Sequence, residues 1–421
     1  MDTEENQPVA EKLSRRQFLG TASATIAAAA VAGFSSAQAQ SQSNTRAAEK
    51  DHSFSDPGPE NKGLKGLNPN TFTPPPTDHG EVVPLWYSFD LAQKRVQQGG
   101  WVQQVNQQQL PPSKFLAGVN MRLEAGAIRE LHWHTADEWA YVLYGNARIT
   151  LMNPDGSTFV GDVSQGDLWV FPAGMPHSIQ GLGPDGTQFL LVFNQGDFDD
   201  SGTFLLGEWL THTPREVLAK NFRLDPAELS TIPTKELYIF PDQITTNTVK
   251  QDKVSFAGGK GIWNAQVTFN LAGMKPTLAN EHGEVCVVDT RNFPLSNHIV
   301  GALVRIKPGG IREMHWHPNA AEWQYWIAGQ GRMTVYVAPQ NARTMDFRAN
   351  DVGYVPIQAG HYIENTGDTD VVFLELFAAS EYQDVSLNNW LRHLPPELVK
   401  AHLGFDKATI EKIPQGRELL M

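Results

Sequence analysis

Eight side chains in this sequence have the types and spacing to hold metal ions. His132-x-His134-x3-Glu138 is followed by His177, and His315-x-His317-x4-Glu322 is followed by His361. Alternate residues of a strand face the same way, so each His-x-His pair projects to one side of a sheet. Three neutral imidazoles and one carboxylate suit a divalent ion and leave two of about six octahedral positions open. A lone His-x-His often just sits on a surface, but four ligand types recurring in one order, twice, form two sites. Arg129 and Arg312 lie three residues before the His pairs, at the expected pocket wall. A divalent ion and an arginine against one carboxylate leave charge for a small dianion, and planar carboxylates fit the guanidinium fork. The plainer alternative pairs these arginines with Glu130, Glu313 or another acid.

The elements that position these groups are written in a repeat. Gly126-Ala-Ile-Arg-Glu-Leu-His-Trp-His134 returns as Gly309-Gly-Ile-Arg-Glu-Met-His-Trp-His317. His79-Gly-Glu-Val82 is matched with His282-Gly-Glu-Val285 as the start of each half. Trp209-Leu-x-His-x-Pro214 is matched with Trp390-Leu-x-His-x-Pro395 as its end. Between them, short alternating runs predict strands at 115–123, 147–152 and 167–171, with counterparts at 301–306, 332–337 and 351–355. Short strands at regular spacing indicate an antiparallel sandwich or barrel. Each half closes with helical sequence. Thr213-Pro214-Arg215-Glu216 reads as a capping box with Pro at the first helical position, and Pro395-Pro396-Glu397 opens the matching helix. The expected architecture is all-β, with two tandem barrels and short C-terminal helical segments.

The chain has 421 residues, enough for two such cores, and 36 Gly and 27 Pro suit a turn-rich β protein. A net charge of −13 argues against a nucleic-acid or anionic-membrane partner. Cys286 is the single cysteine, which excludes an intrachain disulfide. Ser14-Arg15-Arg16-Gln17-Phe18-Leu19, an Ala-rich run and Ala37-Gln38-Ala39 read as a twin-arginine signal cleaved after Ala39. Use of that translocase and a periplasmic or secreted destination are therefore expected. The resulting division is signal 1–39, polar Pro-rich arm 40–78, first barrel 79–235 and second barrel 236–421.

Gly126-x5-His132-x-His134-x3-Glu138-x6-Gly145 and Gly309-x5-His315-x-His317-x4-Glu322-x6-Gly329 match the first cupin motif. The second motif matches in part: Gly181 stands where Asn is usual, and Asn350 and Gln358 replace glycines. Within the cupins the chain resembles the bacterial bicupin oxalate decarboxylases over most of 79–410. That likeness includes Gly166-Asp-Leu-Trp169, Pro176-His-Ser-Ile-Gln180 and Asp384-Val-Ser-Leu-Asn388. The resemblance implies two double-stranded β-helix (cupin) barrels, two Mn2+ per chain and dioxygen as co-catalyst. It also implies oxalate as substrate and assembly into homo-trimers or hexamers. Oxalate would lose CO2 as a radical after one-electron oxidation, then regain the electron and a proton as formate. The family places a glutamate acid on a lid after the last ligand of the first half; here Asp200 takes that place, and Gly202 would let the lid bend. Asp is shorter by one carbon–carbon bond, about 1.5 Å. A failed protonation would give the oxalate oxidase outcome, two CO2 and peroxide. Glu375 and Tyr382 match the family's second-site acid and its tyrosine, although Glu375 could equally be a hydrogen-bonded strand residue. A non-enzymatic cupin, such as a storage or sugar-binding protein, is the main rival from another class, and a manganese-holding bicupin without turnover is a further alternative. Trp133 and Trp316 should point away from the metals, for packing or for electron relay. His79, His212, His282 and His393 recur without ligand spacing and read as structural.

Overall fold

The computed structural model describes residues 58–255, 260–416 and 418–421. The export signal and residues 40–57 of the arm lie outside the described residues. The expected strands are present as Ala117–Leu123, Glu138–Met152, Asp167–Phe171, Val300–Ile306, Gln330–Val337 and Asp351–Val355. Their ladders are antiparallel. In the first half, the strand Glu138–Met152 serves both sheets of its barrel. Its start pairs with Thr187–Phe193 and Asp167–Phe171, and its end pairs with Thr158–Ser164 and His177–Gly181. The bend falls at Gly145, with φ 73°, where a Cβ would sit 2.0 Å from the Gly186 carbonyl oxygen. The second half bends at Gly329 and splits the strand into Glu322–Ala328 and Gln330–Val337. These are the closing glycines of the first motif, and only a residue without Cβ fits there.

Alternation sorts the core. Ala140, Val142, Trp169, Phe171, Phe189, Leu191 and Phe193 fill the first barrel. Their neighbours Trp139, Tyr141, Leu168, Val170, Leu190 and Val192 join a second core shared with Val285, Val304, Trp323 and Phe373. The sheet is buried on both faces, which is why Phe189–Phe193 reads as an unbroken apolar run.

The halves exchange edge strands. Trp86–Ser88 pairs with Asp351–Val355 of the second barrel, and Thr268–Asn270 pairs with Asp167–Phe171 of the first. The described part of the arm docks on the second barrel: Asn70 donates from N and Nδ2 to Asp346 at 2.8 and 2.7 Å. Asp78 accepts from the Thr344 amide and hydroxyl at 2.9 and 2.6 Å. The expected boundary at 235/236 does not separate the barrels: Ile239–Phe240 and Thr268–Asn270 pair within the first, and Trp86–Ser88 pairs within the second.

Two further expectations are corrected. His79–Val82 is not the counterpart of His282–Val285, because ladder register equates the strand Gly283–Val288 with Gly100–Val105. The tetrapeptide match arose without shared position. The helix Arg215–Phe222 starts at N-cap Pro214 with no side-chain cap, and the Thr213 hydroxyl turns back to donate to the Trp209 carbonyl. A capping box forms instead between Asp225 and Glu228. Asn350 and Gln358 adopt left-handed φ of 73° and 64° in the turns where the first half has Gly166 and Gly174 at 90° and 75°. The glycine departures therefore preserve the turn conformation, at a backbone cost of about 1–2 kcal/mol each for non-glycine residues.

Candidate metal centres

Each quartet converges. The ligand atoms of His132, His134, Glu138 and His177 lie within 4.8 Å of one another, as do those of His315, His317, Glu322 and His361. All eight residues are buried. His132 and His177 face each other across the ladder between Ile128–Trp133 and His177–Gly181, and His315 and His361 do the same in the second half. Around an irregularity in each ladder both Arg129 and Glu130 are buried and Leu131 is exposed; Arg312, Glu313 and Met314 repeat this. A regular strand would have hidden the leucine and exposed the charge next to it.

The imidazoles are pre-set to bind. Nδ1 of His132, His134 and His177 lies 2.6–2.7 Å from the carbonyls of Glu130, Ala136 and Met175. Nδ1 of His315, His317 and His361 lies 2.6–3.1 Å from those of Glu313, Gln383 and Ala359. A carbonyl only accepts, so Nδ1 carries the proton and the Nε2 lone pair points into the site. Nε2 of His177, His315 and His317 is buried with no hydrogen bond. In the second site Glu322 Oε2 lies 3.0 and 2.9 Å from Nε2 of His317 and His361. Lone pairs and a carboxylate oxygen at that range repel unless a cation or a proton lies between them. These donors fit a divalent metal.

The titration pattern agrees. Burial, then the charge of Arg129 or Arg312, holds His132 and His315 well below the usual imidazole range. Burial pulls His177 down to about 3 against the attraction of Glu138. Burial alone would lower His317, but its contact with Glu322 wins and raises it. Burial would raise Glu322, yet the His361 charge and the histidine contacts push it well below the carboxylate range. A proton shared there stands in for a metal, so loading would release it. The carboxylates are held from behind: Trp169 Nε1 donates to Glu138 Oε1 at 2.9 Å, and Gln324 Nε2 donates to Glu322 Oε1 at 2.6 Å.

Beside each quartet lies an arginine, an acid and a tyrosine, assembled differently. In the first, Arg129 Nη2 is 3.2 Å from Asp200 Oδ1, the Tyr238 hydroxyl donates to Asp200 Oδ2, and the Arg129 guanidinium sits 4.2 Å over the Tyr238 ring. Burial, then the Asp200 charge, pushes the Tyr238 phenol far up, so it keeps its proton. In the second, Arg312 Nη2 donates to Asp384 at 2.7 Å and to the Tyr382 hydroxyl at 2.9 Å, and that hydroxyl donates to Glu375 at 3.0 Å. Burial, then the charge of Glu322, raises Glu375 to about 7. The arginines are thus ion-paired, though not with Glu130 or Glu313. Those two carboxylates instead accept the amides of Gly207, Leu237 and Tyr238, and the Ser386 hydroxyl with the Leu419 amide. Free arginines are not available to the charge balance, and a dianion must compete with Asp200 or Asp384.

Tyr238, Asp384 and Asp137 were not marked in the sequence. Tyr238 reaches the site because Ile239–Phe240 pairs with Ile128–Arg129; its backbone counterpart in the second half is Leu419, which carries no polar group. Asp384 precedes the strand Val385–Ser386, which pairs with Trp316 and His315. Asp137 accepts from the Ala173 amide at 2.8 Å and Asn194 Nδ2 at 2.9 Å, and meets His298 Nδ1 of the second half at 2.5 Å. It thereby ties the Glu138 loop to the loop before His177, where the second half has Ala321. Asp137→Ala should weaken metal retention at the first centre about 10–100-fold, the usual cost of losing such a support. Metal per chain after dialysis against a chelator checks this, with the second centre as internal reference.

Trp133 stacks on Phe204 (5.6 Å, 7°) and meets Trp209 edge-on at 5.6 Å, and Trp316 meets Trp390 in the same way. Both indoles pack within their own chain, away from the metals. His212 and His393 bond the carbonyls of Glu208 and Asn389 at helix ends, a structural use.

The cupin family model matches residues 89–230 and 269–411. The oxalate decarboxylase OxdC of Bacillus subtilis (strain 168) is 48 % identical over 349 residues, covering 83 % of this chain and 89 % of the relative. A probable oxalate decarboxylase of Arthroderma benhamiae is 39 % identical over 86 % of this chain and 90 % of its own. A solved structure from work on the Mn(II) centres of the Bacillus subtilis enzyme superposes with a TM-score of 0.85 at 45 % identity, covering 89 % of this chain and 98 % of the other. With both ligand quartets and both motifs in place, the chain belongs to the cupins and, within them, to the bicupin oxalate decarboxylase family.

Proposed function

We propose that this protein is an oxalate decarboxylase that splits oxalate into formate and CO2, with manganese in both centres and dioxygen as co-catalyst. The observation that carries the reading is the Arg129–Asp200–Tyr238 group beside an intact ligand quartet. When bound by the two quartets, manganese would supply, with dioxygen, the one-electron chemistry that lets oxalate lose CO2. The chain does the rest. Arg129 offers its fork to a substrate carboxylate, and when Asp200 carries a proton its claim on that arginine weakens. Tyr238 keeps its own proton and fixes the Asp200 carboxyl in place. Asp200 then delivers a proton to the carbon left by CO2, so that oxalate dianion and one proton become CO2 and formate.

The first centre is the better candidate for turnover. Its acid lies on the turn Asp200–Gly202, whose Ser201 and Gly202 are exposed. In the second centre Glu375 sits within the strand Val371–Phe377 with no exposure, and Arg312 is held by Asp384 and Tyr382. The test is formation of formate from oxalate in air, lost when the metal is stripped and restored by Mn2+. The shorter acid at Asp200 favours oxalate oxidase as the second reading, and peroxide would mark it.

We further propose export of the folded, loaded protein through the twin-arginine translocase to the periplasm, as a homo-trimer or hexamer. A His3Glu set prefers copper, nickel or zinc to manganese, so closing the barrels in the cytoplasm would settle the choice before those ions are met. Protein refolded in mixed ions should then hold much less manganese than exported protein; equal contents would contradict this. Elemental analysis decides.

A further inference from the structure

Gln104 lies on the strand Gly100–Val105 with its side chain half-buried against the turn that carries Asp200. Its Oε1 accepts the Asp200 amide at 3.1 Å and its Nε2 donates to Asp199 Oδ1 at 3.3 Å. One amide can make both bonds only while the turn is seated on the barrel. The leading end of the turn is pinned by Asn106 Nδ2 to the Phe198 carbonyl at 2.9 Å and by the Gln107 amide to the Gly196 carbonyl at 2.7 Å. The trailing end is pinned where Phe204–Leu205 pairs with Trp133–His132. Between those anchors Asp199 caps its own turn, through the Ser201 amide and hydroxyl at 2.9 and 2.6 Å. Thr203 closes back on the Asp200 carbonyl at 2.8 Å. Gln104 is thus the side chain that ties the backbone of the acid to the barrel, while Arg129 and Tyr238 hold its carboxyl.

The turn also divides two clefts. Asp199, Asp200 and Ser201 line one of about 350 Å3 with Gln104, Arg95 and Tyr238. Ser201, Gly202 and Thr203 line one of about 610 Å3 with Trp133 and Trp209. A turn with open space on both sides has somewhere to go when released. In the second barrel, ladder register puts Val287 at the position of Gln104. There the acid, Glu375, belongs to a strand and needs no clasp.

We propose that Gln104 is a positioning residue for the proton donor of the first centre. By clasping residues 199 and 200 it keeps the Asp200 carboxyl seated, and so sets how turnover divides between two outcomes. With the acid seated, oxalate dianion and one proton give CO2 and formate, with no net redox change. With the acid displaced, oxalate dianion, dioxygen and two protons give two CO2 and hydrogen peroxide, oxalate losing two electrons to dioxygen. This inference rests on the decarboxylase reading.

The test uses the metal-loaded full chain with Gln104→Ala, Gln104→Glu and, as control, Gln108→Ala, which lines the same cleft. Gln104→Glu keeps an acceptor for the Asp200 amide but loses the donor and sets a negative charge against Asp199. Two quantities are read: the peroxide-to-formate ratio under air, and amide hydrogen exchange across residues 196–205 with and without metal. Gln104→Ala should raise the ratio and speed exchange about 2–10-fold, the scale of one lost net hydrogen bond. Gln104→Glu should follow it, and Gln108→Ala should match wild type. An unchanged ratio in Gln104→Ala overturns the proposal, whether or not exchange accelerates, as does an equal shift in Gln108→Ala. If wild type itself yields no formate, the decarboxylase reading has failed. Exchange alone then judges the clasp: unchanged exchange in Gln104→Ala overturns it as well.

Discussion

Asp200→Ala protein should keep both metal ions yet make formate about 10²–10⁴-fold more slowly, the range for loss of a positioned general acid. Asp200 is outside both ligand quartets, so metal content should not move. What is lost is the one carboxyl held between Arg129 and the Tyr238 hydroxyl. Oxalate consumption should fall less than formate output, because the oxidative branch needs no proton on carbon. Asp200→Glu should favour formate over peroxide at least as strongly as wild type, since it restores the longer reach. Product ratios measured side by side on the three proteins check this. Equal formate rates in wild type and Asp200→Ala would remove Asp200 from the chemistry.

The second large effect separates the two centres. Glu138→Ala should leave one metal per chain and reduce formate output to the metal-free level. Its carboxylate is the sole anionic ligand of the first quartet, and removing it leaves His134 and His177 without a charge to balance the ion. Glu322→Ala should also leave one metal per chain but retain measurable formate production, because the first quartet and Asp200 are untouched. It should cost stability: Glu322 is fully buried against His317 and His361, and a buried pair broken from one side costs about 3–5 kcal/mol. Elemental analysis, formate assay and thermal unfolding on both variants separate these outcomes.

The ligands were legible because both quartets sit in short motifs, with spacing fixed by strand geometry. The barrel strands were legible because short alternating runs recur in both halves; the strand Thr187–Phe193, whose unbroken apolar run Phe189–Phe193 is buried on both faces, was not marked. What could not be read depends on where distant segments cross. Tyr238 enters the site along a strand pairing made after the helical tail, and its backbone counterpart, Leu419, gives no repeat signal. Asp384 lay inside a stretch that resembled the family without carrying a role. Asp137 looks like a turn residue until its bonds to Ala173, Asn194 and His298 are seen. The tetrapeptide at His79 misled because four matching letters outweighed the ladder register. The arginines misled because their acids come from segments remote in sequence.

The most direct measurement is complete product accounting on ¹³C-labelled oxalate with manganese-loaded protein in air, formate and CO2 followed by NMR and peroxide measured in parallel. One formate for each CO2, with only trace peroxide, is the predicted result. Stoichiometric peroxide with two CO2 and no formate, or no product from fully loaded protein, would contradict it.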